Sequence, residues 1–113
     1  MLDTINKRIT VLLDREHTIG HSYLLPLRRN STIETLAEIF ENSIVPLLQE
    51  YFYDDYEKIR LVLGDNKKPD DSTHFIVKKT DTVDLFGGGE IDFPEYYEVN
   101  REAFKMIEAY RQM

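Results

Sequence analysis

Residues 31–64, STIETLAEIFENSIVPLLQEYFYDDYEKIRLVLG, carry the clearest structural pattern in the chain. Ser31 and Glu34 have the spacing of a capping box, in which both side chains accept hydrogen bonds from free amides at a helix start. Apolar residues then recur at steps of three and four, which predicts an amphipathic helix. They are Ile33, Leu36, Ala37, Phe40, Ile44, Leu47, Leu48 and Tyr51.

Pro46 lies inside this helical pattern. Because proline lacks an amide hydrogen and crowds the preceding turn, we expect a kink there. Asp54 or Asp55 is then expected to cap a second short helix, which Gly64 ends. Its apolar residues are Tyr56, Ile59, Val62 and Leu63. The whole stretch therefore predicts two helices joined by one turn, a helical hairpin.

The flanking segments extend a mainly helical α+β fold. The spacing of Leu2, Ile5, Ile9, Leu12 and Leu13 predicts a first helix over 2–15. Residues 16–27, EHTIGHSYLLPL, predict a structured loop or a single turn, because Pro26 disfavours helix at the residue before it. Asn100 is expected to cap a last helix with an inward stripe of Ala103, Phe104, Ile107 and Tyr110.

Residues 65–99 have a different texture. The polar run DNKKPDDS at 65–72 predicts an exposed turn. Residues 73–79 alternate, with Phe75 and Val77 on one face and Ile76 and Lys78 on the other, which predicts a strand. Further extended segments are expected at 83–86 and around Pro94, at Ile91, Phe93, Tyr97 and Val99. We expect small antiparallel pairing.

The predicted core draws on all the helices: Ile5, Ile9, Leu12, Leu36, Phe40, Ile44, Leu47, Leu48, Ile59, Val62, Phe104 and Ile107. The chain has 113 residues, enough for one domain with a modest core. Its net charge of -7 disfavours direct DNA binding, which depends on an excess of Lys and Arg. The absence of Cys agrees with a cytoplasmic protein, and no apolar run is long enough for a membrane span.

Several local patterns have both a functional and a structural interpretation. His17 and His21 would share a face if helical and resemble part of a zinc site, but a hydrogen-bonding loop pair is favoured. The glycines at 87–89 lack the following Lys and Ser or Thr of a P-loop, so a turn is favoured. We predict no catalytic residue and no metal site.

The segment between the two helices of the hairpin is acidic and aromatic. Its acids, Asp54, Asp55 and Glu57, could hold a cation, although carboxylates at a helix start already complement the helix dipole. Its rings, Tyr51, Phe52, Tyr53 and Tyr56, could stack on a base, although core packing is favoured. Lys58 and Arg60 could reach a phosphate bound by another domain, with solvated helix charges as the default.

The order of the sequence adds a family resemblance. IGHSY at 19–23 and IVPLLQEYFYDDYEKIRLVLGD at 44–65 closely resemble the C-terminal part of McrB-like proteins. These are AAA+ NTPase subunits of 5-methylcytosine-specific restriction systems. LDTINKRITVLLDREHTIGHSY at 2–23 and NREAFKMIEAY at 100–110 are similar to the family's segment leading out of the nucleotide-binding core and to its closing helix.

The resemblance implies that the chain is a fragment, an AAA+ lid. We expect a helical lid over 1–66, a loop and small β element over 67–99 and a closing helix over 100–113. GTP or ATP with Mg would bind to an upstream P-loop core in the same parent chain. Neighbouring subunits of a hexameric ring and an endonuclease subunit would be the partners. The fragment alone is expected to hydrolyse nothing.

The same resemblance suggests which residues face the nucleotide. IGHSY matches position for position, so Gly20, His21 and Ser22 are the first candidates. Many AAA+ lids place a sensor two Arg on the γ-phosphate, and Lys58 and Arg60 are the nearest equivalents here. Two alternatives stay open: a freestanding module whose aromatic corner and kinked groove bind a partner helix, and a small metal-dependent enzyme at His17 and His21.

Overall fold

A computed structural model describes residues 1–79 and 96–113. Its α-helices are α1 (Leu2–Leu12), α2 (Pro26–Arg29), α3 (Ile33–Ile39), α4 (Val45–Tyr51), α5 (Tyr56–Leu63) and α6 (Ile107–Arg111). Strands β1 (Ile76–Lys79) and β2 (Tyr96–Val99) form a small sheet. 3-10 turns span His21–Leu24, Asp65–Lys67, Asp71–Thr73 and Arg101–Lys105, and a π turn spans Phe40–Ile44. No helix within the described ranges is long and apolar enough to cross a membrane.

The N-terminal part differs from prediction in its boundaries. Helix α1 ends at Leu12, three residues before the predicted end at Arg15. Residues 16–24 form a loop and one 3-10 turn, as predicted. Leu25 is nevertheless in the right-handed helical region, because Pro26 occupies the first position of α2, where its fixed φ suits a helix start. The capping box at Ser31 was a wrong prediction. The Thr32 hydroxyl accepts from the Thr35 amide at 3.2 Å, whereas the Ser31 hydroxyl donates back to the Leu27 carbonyl at 2.5 Å.

The helical pattern is interrupted near Pro46, in the turn that precedes this residue. The π turn at Phe40–Ile44 connects α3 to α4, and the backbone stays in the right-handed helical region at both junctions. A π turn is wider than an α-helical one and is a recognised cause of helix kinks. It also shifts the phase of the helix by one residue. This shift explains why Val45, outside the predicted stripe, is buried beside Phe40 and Ile44. Ile39, which precedes the turn, is also buried outside that stripe.

The second helix and the sheet follow the prediction closely. The Asp55 carboxylate accepts from the Lys58 amide at 3.3 Å to cap α5, and Gly64 ends that helix in the left-handed conformation with φ of 76°. Strands β1 and β2 pair antiparallel, with Ile76 opposite Val99, which confirms the predicted pairing. The predicted segments at 83–86, the glycines at 87–89 and the residues 91–94 lie outside the described residues.

The polar run 65–72 forms turns and is mostly exposed, as predicted, but two of its residues are buried. Asp65 is fully buried and Lys68 is 5% exposed. The Lys68 ammonium donates to the Asp65 carboxylate at 2.8 Å and to the Thr73 carbonyl at 2.9 Å, and it lies 3.7 Å from the centre of the Phe75 ring. Burial lowers the pKa of Lys68, and the neighbouring Asp65 carboxylate opposes that shift.

The same carboxylate alters the start of β1. It accepts from the amides of Phe75 and Ile76, each at 2.9 Å, and both of these side chains are fully buried. The predicted alternation does not separate a buried face from an exposed one here, because Phe75 and Ile76 are both buried. The Asp65 side chain thus holds the backbone that leads into β1. The strand itself begins only at Ile76.

The C-terminal part is two short helical segments instead of the predicted single helix. Met106 adopts an extended conformation between them, with φ of -102° and ψ of 112°. The Asn100 side chain makes no capping hydrogen bond and instead donates to the Ser72 carbonyl at 3.2 Å. The break at Met106 changes the helical phase. Ile107, a predicted core residue, is 55% exposed as a result.

The core otherwise matches the prediction. Its predicted members Ile5, Ile9, Phe40, Ile44, Leu48, Ile59, Val62 and Phe104 are buried, with Leu12, Leu36 and Leu47 half-buried against them. Four rings at its centre come from distant parts of the chain: Phe40, Phe75, Phe104 and Tyr110. The Phe75 and Phe104 rings stack with centroids 4.9 Å apart. The aromatic centre thus joins the helical segment to the C-terminal segments.

Candidate functional site

The predicted site begins at a loop that α1 holds in place. The Asn6 amide group donates to the Ile19 carbonyl at 2.8 Å and accepts from the Ile19 amide at 2.6 Å. The Ile19 side chain is 2% exposed and belongs to the core. Both backbone polar groups of Ile19 are therefore satisfied by one side chain. We call this pair of hydrogen bonds the Asn6–Ile19 bridge.

The three residues after Ile19 are exposed, and we refer to Gly20, His21 and Ser22 as the candidate strip. Gly20 precedes the 3-10 turn His21–Leu24, with backbone hydrogen bonds from Tyr23 to Gly20 and from Leu25 to Ser22. Within the part of the chain that is described, the His21 ring and the Ser22 hydroxyl make no hydrogen bond or ion pair. The strip therefore has a fixed backbone and two side chains available to an external ligand.

The fold itself does not require glycine at position 20. Its φ is -76°, an ordinary value for any residue. A Cβ built there would meet only the Ser22 hydroxyl, at 3.7 Å, which is normal van der Waals contact. The absence of a side chain at this position leaves space beside the backbone of the candidate strip.

His17 and His21 do not form the metal pair that was kept as an alternative. The chain from Asp14 to Gly20 is not helical, so the two rings do not share a helix face. The His17 ring instead contacts the Asp14 carboxylate at 2.7 Å and lies edge-on to Tyr51 at 4.9 Å. The hydrogen bond from His17 lowers the pKa of Asp14. Across the two described ranges, no group of three or more His, Cys, Asp or Glu side chains is placed to bind a metal ion.

The two candidate cations on α5 have different environments. Lys58 is half-exposed and lies 3.9 Å from the Asp55 carboxylate. Arg60 is half-buried, and its guanidinium lies 3.3 Å from Nδ1 of His74. The other nitrogen of that ring, Nε2, lies 2.9 Å from the Lys68 carbonyl, so a proton on Nε2 satisfies both contacts. Among the described residues, no hydrogen bond or ion pair joins either cation to the candidate strip.

The acidic carboxylates of the hairpin mostly have structural partners. Asp55 caps α5, as its place at the helix start predicted. Glu57 accepts a short hydrogen bond from the Tyr97 hydroxyl and forms an ion pair with Lys78 at 3.3 Å. The Tyr97 hydrogen bond is the main reason that the pKa of Glu57 is lowered. These contacts attach α5 to the sheet.

The aromatic corner is core packing except at one residue. Phe52 is buried, and Tyr51 and Tyr56 are half-buried against the core, as predicted. Tyr53 is 92% exposed, contrary to the prediction, and has a left-handed conformation with φ of 51°. The amide of Asp54 donates to the Gln49 carbonyl at 2.9 Å, which makes this corner a Schellman-type helix end, where glycine usually occupies the left-handed position.

Replacing Tyr53 with Gly should therefore stabilise the chain. Relief of the left-handed strain is worth about 1 kcal/mol, from which the greater freedom of glycine in the unfolded state subtracts a part. Tyr53→Ala retains a Cβ and should show no such gain. Urea denaturation of both variants gives the comparison. A loss of stability in Tyr53→Gly would mean that the exposed ring makes a stabilising contact.

Comparison with known families is decisive on one point. The family model described as "McrB, alpha-helical lid domain" matches residues 1–60, more than half of the chain. The chain belongs to this McrB lid family. The match supports an McrB-family AAA+ parent. No curated protein and no solved structure matches the chain.

All the predicted site residues lie inside the segment that matches the McrB lid family. So does Asn6, which the sequence analysis missed. Its signal was weak: Asn6 is a half-buried polar residue directly after Ile5 on the apolar side of α1. A polar residue at the edge of an apolar stripe often accepts and donates to backbone groups of another segment. The buried Asp65 and Lys68 pair lies beyond the matched segment.

Proposed function

We propose that this McrB-family lid closes over a nucleotide bound by a P-loop core of the same parent chain, with the candidate strip facing the nucleotide. One observation carries the proposal. The backbone of the strip is fixed by the Asn6–Ile19 bridge while the side chains of His21 and Ser22 remain exposed and unpartnered among the described residues. An anchored backbone limits the positions that these two exposed side chains can reach, which helps to orient a ligand.

The chemistry of the candidate strip fits a nucleotide. The His21 imidazole and the Ser22 hydroxyl can each donate a hydrogen bond to a base, a ribose or a phosphate oxygen. Gly20 leaves room for close approach to the backbone. GTP or ATP with Mg²⁺ would be held mainly by the core, which would supply the metal ligands and the water-activating groups. The lid would contribute binding and would close as a rigid body.

Lys58 and Arg60 have unequal roles in this proposal. Among the described residues Lys58 is paired only with Asp55, at 3.9 Å, and it is half-exposed, so it can turn toward a phosphate. Arg60 would have to leave the His74 ring before its guanidinium reached a ligand. Of the two cations, we therefore assign phosphate contact to Lys58.

The wider assembly rests on family membership. We propose that the parent forms a hexameric ring and drives an endonuclease subunit of a modification-dependent DNA restriction system. The acidic net charge of -7 agrees with a piece that does not itself bind DNA. The support for the ring and the endonuclease is the McrB lid match alone.

The experiment compares nucleotide hydrolysis by the parent protein, with its core, against the same protein carrying His21→Ala. Loss of a hydrogen bond to bound nucleotide is worth about 1 kcal/mol, so kcat/KM should fall several-fold to about tenfold. The exposed Asn42, on the π turn, provides the control Asn42→Ala, which should leave hydrolysis unchanged. Thermal unfolding of both variants should match the unchanged protein.

The outcomes separate the two parts of the proposal. If the parent hydrolyses GTP or ATP and His21→Ala has no effect, the lid function stands and the candidate strip does not face the nucleotide. If the parent contains a core that hydrolyses neither nucleotide, the proposed function is wrong. A parent without any P-loop core would favour the alternative of a freestanding interaction module.

A further inference from the structure

A groove with an apolar floor runs between α1 and the segment 61–67. Its volume is about 550 Å³. Val11, Leu12 and Leu61 form its apolar part. Val11 is 79% exposed and Leu61 is 40% exposed, so the groove presents large aliphatic side chains to solvent on two neighbouring helices. It shares no lining residue with the candidate strip and is not explained by the proposed closure over nucleotide.

The charged residues of this groove are all basic. Lys7, Arg8 and Lys67 line it, and none of the described Asp or Glu residues does. The chain as a whole has a net charge of -7, so this distribution opposes the average surface. Lys7 and Lys67 form no ion pair with any described residue. A ligand with carboxylates would therefore meet cations that are not already neutralised.

Arg8 gives the groove one rigid wall. Its guanidinium donates to the Val62 carbonyl at 3.0 Å and to the Met113 carbonyl. These contacts fix Arg8 between α1, the end of α5 and the C-terminal segment. A wall that is already ordered loses little side-chain entropy when a partner binds.

We propose that this groove binds an amphipathic helix of a partner protein, with its apolar stripe against Val11 and Leu61 and its Asp and Glu side chains against Lys7 and Lys67. A groove between two helices with an apolar floor suits the helix-in-groove mode of recognition. The basic rim selects an acidic helix over a basic one. A phosphate or a free carboxylate could pair with the lysines but would leave the apolar floor of the groove uncovered.

The test uses a short fluorescein-labelled peptide of Leu and Glu whose leucines repeat at steps of three and four. We expect the 113-residue chain to bind it and to raise its fluorescence anisotropy. Val11→Asp and Lys67→Glu should each weaken binding by about tenfold or more, because each adds a carboxylate to the groove. Binding should also weaken as salt is raised.

Matched controls come from the exposed face of the C-terminal segments. Ile107→Asp makes the same kind of change at a residue that is 55% exposed and outside the groove, and Lys105→Glu reverses an exposed charge. Neither should change binding. A peptide of the same composition with scrambled leucines should bind about tenfold more weakly.

Three results would overturn the proposal. The first is the absence of peptide binding. The second is an equal loss of binding in the control variants Ile107→Asp or Lys105→Glu, or equally tight binding of the scrambled peptide, which would indicate nonspecific attraction. The third is self-association of the chain, seen by sedimentation and abolished by Val11→Asp, without peptide binding; the groove would then belong to a second copy. Thermal unfolding of Val11→Asp and Lys67→Glu verifies that both remain folded. None of these results depends on nucleotide hydrolysis.

Discussion

Replacing Asp65 with Ala is expected to lower the free energy of unfolding by about 3–5 kcal/mol, the usual cost of breaking a buried ion pair from one side. The Asp65 carboxylate accepts from the Lys68 ammonium and from the amides of Phe75 and Ile76. Its removal leaves a buried ammonium without its counter-charge and two buried amides without acceptors. Each of these groups was desolvated on folding and finds no replacement partner.

Urea denaturation measures this loss, and Asp71→Ala is the control. Asp71 lies in the same loop, with a side chain that is 89% exposed, so its removal should change stability by less than about 0.5 kcal/mol. The double variant Asp65→Ala with Lys68→Met should recover part of the loss, because it removes the uncompensated charge. An Asp65→Ala variant as stable as the Asp71→Ala control would show that the buried carboxylate is dispensable.

The pH dependence of the same variant provides an independent check. Burial already lowers the pKa of Lys68, and Asp65 opposes that effect. Without Asp65 the folded-state pKa falls further below the unfolded value of about 10.4. Between the two values the unfolded chain binds more protons than the folded one, so stability rises with pH. The deficit of Asp65→Ala should therefore shrink as pH increases toward 10.4.

The elements that the sequence predicted well are those set by neighbouring residues. The cap at Asp55, the left-handed Gly64 and the apolar stripe of α5 are all signals within one or two helical turns. The extended pattern of β1 and of β2 is also a local signal, although the pairing of the two strands joins distant residues. Such signals are read from sequence because their partners are a few positions away.

The elements that were missed depend on partners far along the chain. The polar run at 65–72 has the composition of an exposed turn, and only the amides of Phe75 and Ile76 show why Asp65 is buried. The π turn shifted the helical phase at Val45, and the break at Met106 did the same at Ile107. The periodicity of apolar residues assumes a regular helix, so it does not predict where tertiary packing inserts an extra residue or breaks the helix.

The candidate strip was likewise predicted from a local motif, whereas the contacts that hold it were not. Its residues were identified from a motif, whereas the Asn6–Ile19 bridge that fixes them spans 13 positions. The family match ends at residue 60, yet Phe75, Phe104 and Ala109 are fully buried in the same core as the matched helices. Residues outside the family segment therefore complete the core that the lid helices pack against. Gly64 is one of these residues, and it contacts the C-terminal segment.

Replacing Gly64 with Ala is expected to destabilise the chain by about 2–4 kcal/mol, the sum of left-handed strain and overpacking. Gly64 has φ of 76°, where a side chain is strained. An added Cβ would lie 2.6 Å from the Met113 carbonyl oxygen and 2.8 Å from Nη1 of Arg8. Relief of the first overlap moves the C-terminal segment, which weakens the hydrogen bond from Arg8 to the Met113 carbonyl.

Gly20→Ala is the matched control, because the same substitution there meets neither obstacle. Position 20 has φ of -76°, and a Cβ there meets only the Ser22 hydroxyl, at 3.7 Å. The substitution should therefore leave the free energy of unfolding unchanged or raise it by about 0.4–1 kcal/mol. If the candidate strip faces a nucleotide, Gly20→Ala should still lower hydrolysis by the parent protein. Equal stability losses in the two variants, measured by urea denaturation, would contradict the assignment of strain to Gly64. Loss of stability in Gly64→Ala alone would support the assignment of left-handed strain and overpacking to the end of α5.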